Sequence, residues 1–159
     1  MTGFDFSNND TATHTTWSDM VSTAANRQSF ITGAISFMSA YDFTCIDLDW
    51  EYPVDQARGG RPTDMVNLVQ LLADMRARPD FANKFGISVT LAPDIWYLQH
   101  YDAKGMLASV VFLGFMAYVS RFLPCWYGDL TLTFIPGSSW DVGQNYPQCW
   151  PYRSGSDKY

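Results

Sequence analysis

Three carboxylates alternate along one short stretch of this sequence. Asp47, Asp49 and Glu51 lie two residues apart within the segment Ile46–Pro53. Because side chains alternate between the two faces of a β-strand, a strand here would project all three carboxylates from one face. The intervening apolar side chains, which we expect to face covering helices, are Ile46, Leu48 and Trp50.

Three carboxylates on one strand face, without cations nearby in sequence, are costly to ionise together. The pKa of at least one of them must rise. Glu51 stands at the carboxyl end of the predicted strand, where α/β barrels carry their chemistry. A proton held there near neutral pH is what a general acid needs, so we predict that role for Glu51. A divalent metal site is the main alternative, since carboxylate oxygens suit Mg²⁺ or Ca²⁺.

The composition limits the possible partners. The 159 residues include 47% hydrophobic, 16% aromatic and 16% charged residues, with a net charge of −6. These values indicate a globular chain, and the absence of a basic patch argues against nucleic acid or an anionic membrane. We expect no membrane span, no signal peptide and no cofactor. The cysteines Cys45, Cys125 and Cys149 predict neither a disulfide framework nor a zinc site.

Strands and helices are predicted to alternate. A strand end over Thr2–Phe6 and a loop over residues 7–16 come first, and Thr23 is the expected N-cap of the next helix. The later elements are a helix over Thr23–Tyr41, a strand over Cys45–Trp50, a loop over Gln56–Thr63, a helix over Met65–Arg76, a strand over Phe85–Ala92, a helix over Asp102–Val110 and a strand over Val111–Tyr118. The expected buried side of the Met65–Arg76 helix is Val66, Leu68, Val69, Leu72 and Met75.

This alternation predicts an α/β fold with a parallel sheet. A doubly wound sheet and a (β/α)₈ barrel both fit the order of elements. No Gly-rich loop follows any predicted strand, which disfavours the nucleotide-binding version. A complete (β/α)₈ barrel usually needs about 250 residues, so only part of one would fit in this chain.

The acidic strand also resembles a known signature. Ile46–Pro53 is similar to the Asp-x-x-Asp-x-Asp-x-Glu motif of family 18 glycoside hydrolases, the chitinases, with its usual Trp-Glu-Tyr-Pro ending. Three further stretches resemble the family in the right order: Thr2–Phe4, Ile87–Pro93 and Met116–Tyr118. The sequences of these stretches are most similar to those of fungal chitinases of the killer-toxin alpha-subunit type. The resemblance implies that residues 1–118 are part of a (β/α)₈ barrel, roughly strands 3 to 6.

Site roles follow from the resemblance for several residues. Glu51 would protonate the glycosidic oxygen, while Asp49 would orient the N-acetyl group of the substrate and share a proton with Asp47. Tyr118 would hydrogen-bond the acetamido carbonyl, and Met116 would line the floor of the sugar site. The candidates for stacking on sugar faces, with core packing as the alternative for each, are Trp96, Tyr97 and Tyr52. The implied partner is chitin or a chitooligosaccharide, the implied location is extracellular, and no metal, cofactor or obligate protein partner is implied.

The chain departs from the family pattern at both ends of its motifs. Thr44 and Cys45 replace the first Asp and a Gly of the signature, and Val119 replaces the Asp expected after Tyr118. Residues 119–159 are predicted to form an irregular tail. One hypothesis is that residues 119 to about 136 are translated intron, because a family-like Gly-Ser-Trp-Asp stretch follows at Gly137–Asp141. A truncated, inactive fragment and a non-catalytic chitin- or glycan-binding relative remain alternatives to an active chitinase.

Overall fold

The computed structural model of this protein describes residues 13–116. The order of its helices and strands is α1 (Thr16–Ser22), α2 (Ala24–Ala40), β1 (Cys45–Asp49), a 3₁₀ turn (Gln56–Arg58), α3 (Asp64–Ala77), α4 (Pro79–Ala82), β2 (Gly86–Leu91), α5 (Ile95–Leu98), α6 (Ala103–Met106) and β3 (Phe112–Phe115). The predictions for Thr2–Phe6, for Tyr118 and for the tail lie outside the described residues.

The three strands form one parallel sheet in the order β1-β2-β3. The register places Leu48 beside Val89, and Val89 beside Leu113, and these three side chains are buried. The next pair in the register is Asp49 and Thr90, and its side chains project from the opposite face of the sheet. The predicted α/β organisation with a parallel sheet is confirmed for the described residues.

Helix α2 begins where the sequence predicts. The Thr23 hydroxyl accepts a 3.1 Å hydrogen bond from the backbone N–H of Asn26, as an N-cap should. A buried arginine then ties α2 to α3: Arg27 Nε lies 2.6 Å from Asp74 Oδ2, and Arg27 Nη1 donates to the Val21 carbonyl at 2.9 Å. This pairing satisfies a charge that would otherwise be costly to bury.

The predicted buried side of α3 needs one correction. The side chains that are buried are Leu68, Leu71, Leu72 and Met75, and Val69 is partly buried. Val66 is 66% exposed, so its assignment to the buried side was wrong. The buried set follows the spacing i, i+3, i+4, i+7 of one helix stripe, and Val66 lies outside that stripe.

Three short helices were missed. Helix α1 occupies Thr16–Ser22, and its Trp17 stacks on Trp50 with ring centroids 5.4 Å apart. Helices α4 and α5 have four residues each. The helix predicted over Asp102–Val110 is also shorter, because α6 ends at Met106 and the chain continues as turns. In residues 13–116, no helix is long and apolar enough to cross a membrane.

Candidate active site

The acidic face of β1 lies against two hydroxyls of β2. The Ser88 hydroxyl donates to Asp47 Oδ1 at 2.5 Å, and the Thr90 hydroxyl donates to Asp47 Oδ2 at 2.7 Å. Both oxygens of Asp47 therefore accept a hydrogen bond from a hydroxyl of β2. The parallel register produces this arrangement, since it pairs Asp47 with Ser88 and Asp49 with Thr90.

Asp49 is the carboxyl whose ionisation the site disfavours. Loss of solvation, then the negative charge of Glu51, then that of Asp47 raise the pKa of Asp49 from 3.8 to about 6. The sequence predicted that one carboxyl of this group would hold a proton at higher pH. The structure assigns that shift to Asp49, which lies between the other two carboxylates in sequence.

Glu51 lies two residues after the end of β1, in the loop that leaves the strand. Its side chain is 41% exposed, and Arg58 Nη1 lies 3.5 Å from its Oε2. Sequence reasoning missed this cation, because Arg58 is seven residues away and the loop has to turn back to bring it there. Glu51 thus stands at the open end of the acidic face with a guanidinium beside it.

Two tyrosines pack together next to Glu51. Tyr52 is buried, and its ring stacks on that of Tyr97 with centroids 4.0 Å apart. Burial, followed by the charge of Glu51, raises the pKa of the Tyr52 phenol to about 12. Trp96 precedes Tyr97 in α5 and differs from both tyrosines, because its side chain is 69% exposed. It offers the largest open aromatic surface among the three predicted stacking residues.

A fourth aromatic residue, absent from the predicted site, supports the backbone just before Glu51. The buried Tyr101 hydroxyl donates to the Trp50 carbonyl at 2.5 Å. Burial is the first cause that raises the pKa of Tyr101, so the phenol stays a neutral donor. Nothing in the sequence marks this contact, because 51 residues separate the two partners.

Of the remaining predicted site residues, the structure places one. Met116 is buried directly after β3, and its N–H donates to the Leu91 carbonyl at 3.2 Å. Tyr118 lies outside the described residues. Within residues 13–116, no three His, Cys, Asp or Glu side chains come together as a set of metal ligands. The acidic strand, the loop after it and the segment after β2 therefore make up the described part of the site.

Comparisons with known proteins identify related sequences. A family profile described as "Glycosyl hydrolases family 18" matches residues 7–141. Chitinase A1 from Niallia circulans is 32% identical over 110 residues, which cover 64% of this chain and 16% of that protein. The killer toxin subunits alpha/beta of Kluyveromyces lactis are 28% identical over 120 residues, which cover 73% of this chain and 10% of that protein.

Solved structures share the fold. Chitinase ChiA74 from Bacillus thuringiensis aligns with a TM-score of 0.58 at 27% identity and covers 64% of this chain and 18% of that chain. A mutant of the Ostrinia furnacalis Group II chitinase catalytic domain 2, in complex with penta-N-acetylchitooctaose, aligns with a TM-score of 0.57 at 21% identity. That match covers 63% of this chain and 27% of the other. This chain therefore spans only a small part of each of these relatives.

Proposed function

This chain belongs to the family 18 glycosyl hydrolases, and on that premise we propose that its acidic site hydrolyses β-1,4-linked N-acetylglucosamine polymers with retention. The observation that carries the proposal is the set of three carboxylates at the carboxyl end of β1, with the pKa of Asp49 raised to about 6. Similarity to proteins named chitinases supports the choice of substrate. The chitooligosaccharide bound by the Ostrinia furnacalis enzyme supports it too.

In the proposed reaction Glu51 gives its proton to the glycosidic oxygen as the bond to the anomeric carbon breaks. The carbonyl oxygen of the substrate's own N-acetyl group attacks that carbon, which forms an oxazolinium ion. Water then attacks the same carbon and gives a proton to the Glu51 carboxylate. Both attacks together retain the configuration, and Glu51 returns to its protonated state.

Asp49 has the proposed role of orienting the acetamido group. Its carboxylate accepts the acetamido N–H and balances the positive charge of the oxazolinium ion. A pKa of about 6 fits this role, because Asp49 can then exchange a proton with a neighbouring group near neutral pH. Asp47, bound by Ser88 and Thr90, is the proposed partner in that exchange.

Residues around the three carboxylates have proposed roles in binding the sugar. We propose the exposed Trp96 as the surface on which a sugar ring stacks, and Met116 and Tyr118 as parts of the sugar pocket. The three parallel strands would belong to a (β/α)₈ barrel, of which this chain supplies roughly strands 3 to 6. We expect the protein outside the cell, where polymeric chitin is accessible, and detection in a secreted fraction would test that.

Turnover of a chitooligosaccharide tests the proposal. The parent chain, a Glu51→Gln variant and an Asp80→Asn control are compared with and without chelator. Asp80 is an exposed residue of α4 that pairs with Arg78, so its change should leave activity intact. Cleavage that survives chelator and is lost in Glu51→Gln supports the proposal. Binding without cleavage would instead indicate a non-catalytic chitin-binding protein, and sensitivity to chelator a metal-dependent hydrolase.

A further inference from the structure

Trp50 lies between the two residues that carry the proposed chemistry, Asp49 and Glu51. Strand β1 ends at Asp49, and the pairing of Asp49 with Thr90 is the last in its register with β2. The Trp50 carbonyl therefore lies beyond that register, although Trp50 is only 3% exposed. Because a buried carbonyl without a hydrogen bond costs free energy, this group needs a donor from another part of the fold.

The hydroxyl of Tyr101 is that donor. It lies 2.5 Å from the Trp50 carbonyl oxygen, and Tyr101 itself is only 6% exposed. This oxygen belongs to the peptide group whose nitrogen is the backbone nitrogen of Glu51. Because a peptide group is planar, a hydrogen bond to its oxygen also fixes the direction of the bond that leads into Glu51.

The segment after β2 also contacts the other neighbour of Glu51. Tyr97, four residues before Tyr101, stacks its ring on that of Tyr52 with centroids 4.0 Å apart. Trp50 directly precedes Glu51 in the sequence, and Tyr52 directly follows it. One segment therefore contacts the residues on both sides of the proposed acid, through a hydrogen bond on one side and a ring stack on the other.

Two aspartates hold the backbone of this segment. Asp94 accepts the N–H of Tyr97 at 3.1 Å and caps α5. Asp102 accepts the N–H of Gly105 at 2.9 Å and caps α6. Between the two caps, the N–H of Tyr101 donates at 3.1 Å to the carbonyl of the last residue of α5. The Tyr101 side chain therefore extends from a backbone that is hydrogen-bonded at Tyr101 and on both sides of it.

The ring of Trp50 is held from a different element. Trp17 of α1 stacks on it with an interplanar angle of 10°. A ring stack sets the position of the side chain but leaves the direction of the carbonyl open. The hydroxyl of Tyr101 sets that direction, so the two contacts act on different parts of Trp50.

We propose that Tyr101 is a positioning residue for Glu51, one that fixes the Trp50–Glu51 peptide through the hydrogen bond to its carbonyl oxygen. The proposal rests on the function proposed above for Glu51. Tyr101 lies outside the acidic motif, and its role is exercised through the backbone rather than through contact with substrate. Displacement of a catalytic group by about 1 Å can slow an enzyme by roughly a hundredfold, so this hydrogen bond bears on the rate.

Three variants of the full chain are compared with the parent. Tyr101→Phe removes the hydroxyl and keeps the ring, so it tests the hydrogen bond alone. Tyr41→Phe is the matched control, because it loses the same group at a residue that is 66% exposed. Thr23→Ala removes the N-cap of α2 and is the control for stability lost away from the site. All measurements are made at one temperature at which every protein is folded.

The sequence offers a direct view of this peptide, because Glu51 is the only glutamate among the 159 residues. Cell-free synthesis with carbonyl-¹³C tryptophan and ¹⁵N glutamate therefore gives a single pair of bonded labels, the Trp50 carbonyl and the Glu51 nitrogen. We expect the NMR signal of this carbonyl to move in Tyr101→Phe and to keep its parent position in both controls. An unmoved signal in Tyr101→Phe would overturn the proposal.

The kinetic measurement is the cleavage of a chitooligosaccharide. We expect the kcat of Tyr101→Phe to fall by roughly tenfold or more and its KM to stay within about twofold of the parent value, because displacement of the acid affects bond breaking rather than binding. Both controls should keep the parent constants. If Tyr101→Phe has the same kinetic constants as Thr23→Ala, the role of Tyr101 is merely structural and the proposal is wrong.

The two readouts separate this proposal from the proposed function. If none of the proteins cleaves the oligosaccharide, the proposed function is refuted, and the carbonyl signal still decides whether Tyr101 fixes the peptide. Cleavage by the parent together with an unmoved signal or an unchanged kcat in Tyr101→Phe refutes the role of Tyr101 alone. If Tyr101→Phe does not fold, Tyr101→Met also lacks the hydroxyl, fills the space with a flexible side chain and decides in the same way.

Discussion

The hydroxyl of Ser88 donates to one carboxylate oxygen of Asp47, and this contact distinguishes Asp47 from the other two carboxylates of the acidic face, Asp49 and Glu51. Asp47 has both oxygens bound by hydroxyls of β2, counting the one from Thr90. Asp49, two residues later on the same face, is the one whose pKa is raised to about 6. The strand beside it thus binds Asp47 through two hydroxyls, whereas burial and the charges of Glu51 and Asp47 act on Asp49.

The raised pKa of Asp49 predicts how stability depends on pH. The folded chain binds a proton on Asp49 up to about pH 6, while an unfolded chain releases it near 3.8. The contribution of this group is therefore fully present below about pH 3.8 and is lost as pH rises through 6. An Asp49→Asn variant should match the parent in its urea midpoint at pH 4 and exceed it at pH 7.

The control for this prediction has the opposite sign. The hydrogen bond from Arg78 lowers the pKa of Asp80, so Asp80→Asn should lose a little stability near neutral pH and none in acid. A gap between Asp49→Asn and the parent that stays constant from pH 4 to pH 7 would contradict the assignment to Asp49.

Helix α3 offers a pair of substitutions that separates core from surface. Leu72 is fully buried, so Leu72→Ala should lower the free energy of unfolding by about 2–5 kcal/mol through lost burial and the cavity left behind. Val66 is 66% exposed on the same helix, and Val66→Ala should change it by less than about 0.5 kcal/mol. Urea denaturation measures both, and similar losses in the two variants would show that the helix packs on a different face.

The strands were the most predictable elements of the fold. The strand predicted over Cys45–Trp50 runs from Cys45 to Asp49, and the one over Phe85–Ala92 runs from Gly86 to Leu91. Their apolar and β-branched residues, with polar residues or turns on either side, carry a local signal. Helices of four residues such as α4 and α5 complete barely one turn, so no periodicity reveals them.

The site residues that lie on one strand were predictable from the sequence, whereas the contacts that distant residues make with them were not. The alternation of Asp47, Asp49 and Glu51 is visible in the sequence, and the family assignment it suggested is confirmed. The sequence also contains a signal for the hydroxyls of Ser88 and Thr90, because these polar residues alternate with apolar ones along a strand. The contact of Arg58 with Glu51 had no such signal, because it depends on the path of the loop. The buried Asp64 carboxylate helps to set that path by accepting the N–H groups of Val54 and Arg61.

The break in the family pattern at Val119 yields a prediction about the gene. We expect the mature transcript to lack the codons for residues 119 to about 136, so that Gly137–Asp141 follows closely after Tyr118. The family profile extends to residue 141, which fits a family segment beyond the break. Sequencing spliced transcripts measures this directly. A continuous message through these codons would end the hypothesis.

Two glycines test how tightly the loop that carries Arg58 packs against the segment before α1. Gly59 ends the 3₁₀ turn with φ at 75°, and a Cβ there would lie 2.2 Å from the carbonyl oxygen of His14. Gly59→Ala should therefore lower the free energy of unfolding by about 1–3 kcal/mol, since backbone must move and a left-handed conformation is strained. Gly33 lies within α2, and a Cβ there would have nothing within 4 Å. Gly33→Ala should therefore raise the free energy of unfolding by roughly 0.5–1 kcal/mol. Urea denaturation measures both changes.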